Sequence, residues 1–281
     1  MIKYFKYLFT LFVILFIVDR AFVGVLDLII EKSDFRFNNL KNESADFYVF
    51  GNSRGVNSFN EYEFEKTFNL KTLNVSFNGL HYEQIKYLIS KIDSTKKIIV
   101  EISPFLNAPL INLESGKIEK ISRFNAFKHL RNNDFFSDIL KTPYYNNELT
   151  LRAFYYLFSS DKGWQNNKIL SNNKLNFLLN KEEDSFLYLD KYRNLKKYLD
   201  ENNYDYLMYF APIHPKKKQK ILNWDIINNT LSTELGNKYI DLSDLILDDN
   251  GFADLIHTNH NSSTKINKEM YEFIKINYLD K

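Results

Sequence analysis

The spacing of apolar residues changes along this chain, and each spacing predicts a different kind of element. Tyr7 to Val18 (YLFTLFVILFIV) is apolar almost without interruption, with Tyr4 and Phe5 upstream and Ala21 to Leu26 downstream. Alone, the run is shorter than the roughly 17–25 residues that cross a bilayer; with its extensions it reaches that length. Lys3 and Lys6 can snorkel to one surface, and Asp19 and Arg20 can sit at the other. The core of a cleaved signal peptide has a similar length, and so does a buried helix of a soluble domain. The residues after Val18, Asp-Arg-Ala-Phe-Val-Gly, hold no small-x-small cleavage site. An uncleaved signal-anchor over residues 1–30 is therefore expected, its basic end in the cytoplasm and the rest of the chain outside.

Beyond a polar lead-in from Ser33 to Asp46, the pattern turns to short apolar blocks closed by turn residues. Asp46–Phe50, Lys71–Val75, Lys97–Ile102, Tyr204–Ala211 and Lys238–Leu242 predict five strands. Lys97–Ile102 (KIIVEI) is nearly continuous in apolar side chains, the pattern of a parallel strand buried on both faces. Glu61–Phe68, Tyr82–Ile92, Leu187–Leu199 and Thr264–Tyr278 predict helices; in the second, Ile85, Leu88, Ile89 and Ile92 share a face. From Phe105 to Leu189 the strand rhythm stops, and phrases such as FNAFKHLRNNDFFSDIL predict a largely helical insertion. Strands alternating with helices predict an α/β fold: a three-layer α/β/α sandwich with a mainly parallel five-stranded sheet. This domain would span residues 40–281, with the insertion at about 105–189. Right-handed crossovers place the strand carboxyl ends on one rim. That rim collects Ser53, the corner Asn74–Gly79, the segment after Ile102, and Pro212-Ile213-His214.

Composition narrows the function classes. A chain of 281 residues suits one substantial domain with appendages. Its formal net charge of +2 lacks the basic excess of a nucleic-acid binder, and Lys216–Lys220 reads as a solvated helix face. The absence of cysteine excludes disulfides and thiolate metal sites. Eight glycines spread over the whole chain are too few for a phosphate-cradling loop, so no nucleotide cofactor is expected.

The candidate chemistry lies at two distant places. Phe47-Tyr48-Val49-Phe50 runs straight into Gly51-Asn52-Ser53-Arg54, a strand stopping in a tight turn. A serine held there, beside unpaired backbone N–H groups, is half of an acyl-transfer site; a serine that merely caps the next helix would carry the same letters. Near the other end, Asp254-Leu255-Ile256-His257 sets a carboxylate and an imidazole three residues apart, able to share one face of a helical turn. The carboxylate can then fix the ring tautomer so that the other nitrogen takes a proton from a serine. A turn cap and an ordinary surface histidine are the plain alternative. His214, in Pro-Ile-His-Pro, is a candidate substrate contact or a rigid turn, and Arg54 a candidate anion ligand or an ion-pair partner. His257, His260 and Asp254 lack the further ligands of a metal site, so none is expected.

Taken together, the Gly-x-Ser corner, the Asn-rich Gly corner and the late Asp-x-x-His resemble the SGNH (GDSL-like) hydrolase superfamily. The likeness is greatest to membrane-anchored envelope members, the alginate O-acetylation and D-alanyl-lipoteichoic-acid protein types. It covers residues 46–102 and 204–278. The resemblance implies Ser53 as nucleophile, His257 as base, Asp254 as its orienting carboxylate, and the N–H of Gly79 as an oxyanion donor. His257-Thr258-Asn259 is similar to the His-x-Asn tail of the envelope members. The family's Gly-x-Asn-Asp turn after the third strand is absent: the chain reads Ile102-Ser103-Pro104-Phe105, and Asn107 is nearby but out of register.

The implied function is a membrane-anchored, extracytoplasmic serine esterase or O-acyltransferase. Its substrate would be an acylated cell-envelope polysaccharide or an acyl donor. A membrane-bound acyltransferase is a further implied partner, and no nucleic acid is. A non-catalytic glycan-binding or assembly protein with the same fold is the alternative.

Overall fold

The computed structural model describes residues 2–32, 45–78, 80, 82–106, 154–158 and 167–279. Two compact units divide the chain: residues 1–39 with 114–161, and residues 40–113 with 162–281.

The first unit contains α1, Ile2–Lys32. Its stretch Lys3–Leu26 is long and apolar enough to cross a membrane. Every side chain from Lys3 to Val18 is exposed, giving an apolar surface all round the helix instead of the single stripe of a surface helix. The two charges that follow lie side by side: Asp19 is buried, and the Arg20 guanidinium sits 4.6 Å from the Phe16 ring.

The second unit is an α/β domain. Its elements are β1 (Phe47–Phe50), α2 (Ser53–Ser58), α3 (Glu61–Phe68), β2 (Thr72–Asn74), α4 (Tyr82–Ile89), β3 (Lys97–Glu101), α5 (Ser103–Leu106), α6 (Asn172–Leu179), α7 (Asp190–Glu201), β4 (Asp205–Phe210), α8 (Pro215–Lys218), α9 (Trp224–Leu235), β5 (Tyr239–Asp241) and α10 (His260–Ile274). The strands form one open, all-parallel sheet in the order β2-β1-β3-β4-β5. Each strand falls within the segment its sequence predicts, shorter by one or two residues at its ends. Helix α7 starts at Asp190, three residues later than its apolar pattern suggests, because Ser185 to Tyr188 is extended and bonds to Lys220, Asn223 and Leu106. Most of the expected insertion lies outside the described residues; its described part includes α6.

Alternation along the strands sends side chains to both faces, which makes the sandwich three-layered. Phe47, Val49, Ile99, Leu207 and Tyr209 pack with Phe64 of α3 and with Ile266, Met270, Phe273 and Ile274 of α10. Those α10 positions recur at helical spacing, and each fully buried side chain of this kind contributes about 1.5–3 kcal/mol. Ile266→Ala would leave a void at the centre of this layer. On the other face Phe210 meets the Trp224 ring of α9 at 4.6 Å, and Tyr206 Oη donates to Asp200 of α7 at 2.8 Å. A buried pair of amides ties α10 to the start of α3: Asn267 Nδ2 donates to Asn60 O, and Asn60 N–H to Asn267 Oδ1.

The sheet order reverses between β1 and β3: the chain first moves to β2 on one side of β1, then crosses to β3 on the other. Connections diverge at such a point and leave a crevice at the strand carboxyl ends, where open α/β sheets bind ligands. Ser53 follows the carboxyl end of β1 at this position.

Candidate active site

The turn after β1 is built by two glycines and a cap. Asn52 Oδ1 accepts the Arg54 N–H at 2.9 Å and so starts α2 at Ser53. A side chain on Gly51 would come within 2.9 Å of the Glu101 Cβ, and one on Gly55 within 2.5 Å of Ser76 Oγ. Both positions require glycine because α2 lies directly against the ends of β2 and β3. The Ser53 N–H has no acceptor among the described residues, as expected for the first turn of a helix.

The sequence places Asp254 and His257 more than two hundred residues away; the fold closes the gap. His257 Nε2 lies 2.7 Å from Ser53 Oγ. His257 Nδ1 lies 2.8 Å from Asp254 Oδ2 and 3.0 Å from Oδ1. A carboxylate can only accept, so the ring proton resides on Nδ1 and the Nε2 lone pair faces the serine hydroxyl. Asp254 Oδ1 also accepts the backbone N–H groups of Ile256 and His257, both at 2.9 Å. Burial pushes the Asp254 pKa up, but the hydrogen bond and electrostatic attraction of His257 and these two N–H groups together hold the carboxyl below the usual range.

The segment is not the helical turn its spacing suggests. Residues 253–256 form a bend in which the Asp254 side chain itself takes the place of a turn's backbone acceptor. Neighbours fix that bend from all sides. Ala253 N–H donates to His257 O, His214 N–H to Leu255 O, Leu170 N–H to Phe252 O, and Lys174 Nζ to Ala253 O. Asn259 Nδ2 donates to the carbonyls of Lys168, Asn250 and Phe252, while its Oδ1 caps α10 through Asn261 N–H. Thr258 Oγ1 donates to Asn57 O at 2.8 Å, a direct link from the residue after the histidine to the serine's own helix.

The remaining sequence candidates lie elsewhere or do other things. His214 is buried, and its Nε2 donates to Asp249 at 2.8 Å while Nδ1 accepts the Lys216 N–H. Both ring nitrogens are thus used within the fold, and the residue is the rigid turn instead of a substrate contact. Arg54 is buried as well, with Nη2 on the carbonyls of Ala211 and Pro212 and its guanidinium 4.2 Å from the Phe210 ring. It faces the interior, which corrects the expectation of an anion ligand at the rim. Gly79 and Asn107 lie outside the described residues. The run Lys216–Lys220 begins on α8, none of whose residues is buried, and its charges are paired: Lys217 with Glu182, Lys218 with Asp244 and Lys220 with Asp184. Among the described residues no cluster of His, Asp and Glu could hold a metal ion.

Four contributors were missed by sequence reasoning: Gly55, Ser76, Asn259 as a loop clamp, and Glu101. Gly55 had a local signal, a second glycine four residues after Gly51, and Ser76 and Asn259 sit in the Asn74–Gly79 corner and the His-x-Asn tail, but neither motif shows what those side chains hold. Glu101 is wholly buried, with its carboxylate accepting Ser103 N–H, Ser103 Oγ–H and Ala211 N–H. Ser103, at the place of the absent asparagine turn, is thereby occupied. Known protein-family models give no match to this chain, and no curated protein matches it in sequence.

Proposed function

We propose that this chain is a serine acyl-ester enzyme, an esterase or O-acyltransferase, of the SGNH kind that its motifs resemble. One observation carries the reading: Ser53 Oγ, His257 Nε2, His257 Nδ1 and Asp254 form an unbroken hydrogen-bonded line between the two ends of the domain. A capping serine and a surface histidine would have no reason to meet.

In this reading Ser53 Oγ attacks the ester carbonyl carbon while its proton moves to His257 Nε2. The imidazolium is stabilised by ionised Asp254. The carbonyl oxygen, now an oxyanion, takes the Ser53 N–H, and Gly79 N–H is the second proposed donor. The intermediate collapses as His257 gives its proton to the departing alcohol oxygen, leaving an acyl-serine. Water or a sugar hydroxyl then attacks, loses its proton to His257, and releases the acid or the new ester; the proton returns to Ser53. The polysaccharide substrate class, the extracytoplasmic location and the acyltransferase partner follow from the resemblance and from α1, with Lys3 and Lys6 held inside and the α/β domain outside.

Labelling with a fluorophosphonate and turnover of p-nitrophenyl acetate test the chemistry. The wild-type chain should be labelled at Ser53 and hydrolyse the ester. Ser53→Ala should abolish both while changing stability by no more than about 0.5 kcal/mol. A folded wild-type chain that neither labels nor turns over would leave the non-catalytic glycan-binding reading in its place.

A further inference from the structure

Arg54 follows the nucleophile in sequence, yet its charge is turned away from the crevice. Burying a guanidinium costs several kcal/mol unless partners compensate, and an apolar side chain of similar size often packs as well or better. Its partners here are specific. Nη2 donates to Ala211 O and lies 3.4 Å from Pro212 O, while the planar group covers the Phe210 ring. Across the same peptide, Glu101 Oε1 accepts the Ala211 N–H at 3.4 Å. The N–H and C=O of Ala211 are thus held between an acid from the end of β3 and a base from the nucleophile's helix. Burial lowers the Arg54 pKa, and the charge of Glu101 acts in the opposite direction. The chain beyond Ala211 is equally constrained. Pro212 ends the strand, Ile213 N–H donates to Ser243 O, and His214 N–H donates to Leu255 O within the Asp254–His257 bend.

We propose that Arg54 is a positioning residue for the acyl transfer: it hooks the Ser53 helix onto the segment Ala211–His214, which also carries the Asp254–His257 bend. This four-residue segment then sets the separation of nucleophile and base. The inference rests on the serine-enzyme reading, and it assigns a role to a residue that touches neither substrate nor reacting atoms. It also explains the charge. One amino group, Nη2, reaches two successive carbonyls, and the rigid guanidinium plane held over the Phe210 ring fixes its direction. Lysine offers a single point charge on a flexible stem.

The test compares wild type, Arg54→Met and Arg54→Lys in the full-length protein, reading ester kcat and KM, the rate of fluorophosphonate labelling, and cooperative unfolding. A misplacement near 1 Å costs about 100-fold in rate. Arg54→Met should lower kcat and labelling rate by roughly 10- to 100-fold with KM within about threefold of wild type, and Arg54→Lys should recover part of that loss. A residue that only supports the fold would shift unfolding and leave kcat and KM of the folded fraction unchanged. If Arg54→Met does not fold, Arg54→Lys decides alone: a kcat loss of about tenfold at constant KM supports the assignment. Wild-type kcat in the folded variants overturns it, and so does a loss confined to KM, which would make Arg54 a substrate ligand. A wild-type chain without turnover sinks the serine-enzyme reading itself. An active wild type with unaffected variants sinks only the role of Arg54.

Discussion

Asp254 stabilises the fold through the same bonds that would serve the proposed chemistry, and pH separates the two. Its folded pKa lies below the unfolded value of about 3.9, so the unfolded chain binds the proton first as pH falls. The stabilisation is fully present above that value and is lost as pH drops through the lower folded pKa. The stability gap between wild type and Asp254→Asn should therefore narrow below about pH 4 in acid-unfolding curves. At neutral pH the same variant should lose about 10⁴-fold in kcat, since an amide no longer enforces the ring tautomer. A gap that widens in acid would contradict the assigned ionisation. Gly55 offers a purely steric test beside it. Gly55→Ala drives a methyl against Ser76, 2.5 Å from its Oγ, and should cost about 1–3 kcal/mol in denaturant unfolding. Adding Ser76→Gly removes both colliding atoms, so the double mutant should be more stable than additivity predicts by about 1 kcal/mol. Strict additivity would mean that the helix shifts instead.

At the scale of elements, the site depends on how α10 begins. Asn259 caps that helix and, with its other amide atom, holds three carbonyls from two segments. Asn259→Ala removes a cap worth about 1 kcal/mol and leaves buried acceptors without donors, at about 1–3 kcal/mol. Asp is as good a helix cap as Asn, yet its carboxylate would face those three carbonyls with no donor to offer. Thermal unfolding should therefore rank Asn259→Asp no better than Asn259→Ala. Recovery in the Asp variant would show that capping alone matters, and that the bend is held by other bonds.

For the whole molecule, the absence of cysteine allows orientation to be read with single introduced thiols. Lys268 is exposed on α10, and Lys3 lies at the basic end of α1. In intact cells a membrane-impermeant maleimide should label Lys268→Cys and leave Lys3→Cys unlabelled until the membrane is permeabilised. Labelling of both, or of Lys3→Cys alone, would reject the orientation in which the amino terminus is inside. Release of the wild-type chain by carbonate extraction would reject α1 as a span.

Local patterning by itself determined the five strands, several of the helices and the fold class. A strand such as KIIVEI announces itself as a short, nearly unbroken apolar block and a helix such as α10 through a period of about 3.6, and short windows contain both. The Gly-Asn-Ser corner and the Asp-x-x-His spacing were legible for the same reason: each is complete within four residues. The helix at Trp224–Leu235 and the short turn of α2 were not read, because Asn-rich sequence blurs one and the other is too short to show a period. The meeting of Ser53 with His257 depends on strand order, which places β1 at the reversal of the sheet and brings the α10 entry loop over it. The orientations of Arg54, Glu101 and His214 were decided in the same way. Charge and residue type suggested the rim for Arg54 and His214 and gave no sign of Glu101, and only packing turns all three inward onto backbone and side-chain groups. A sequence states which groups a chain carries. Which way each one faces depends on neighbours a hundred residues away.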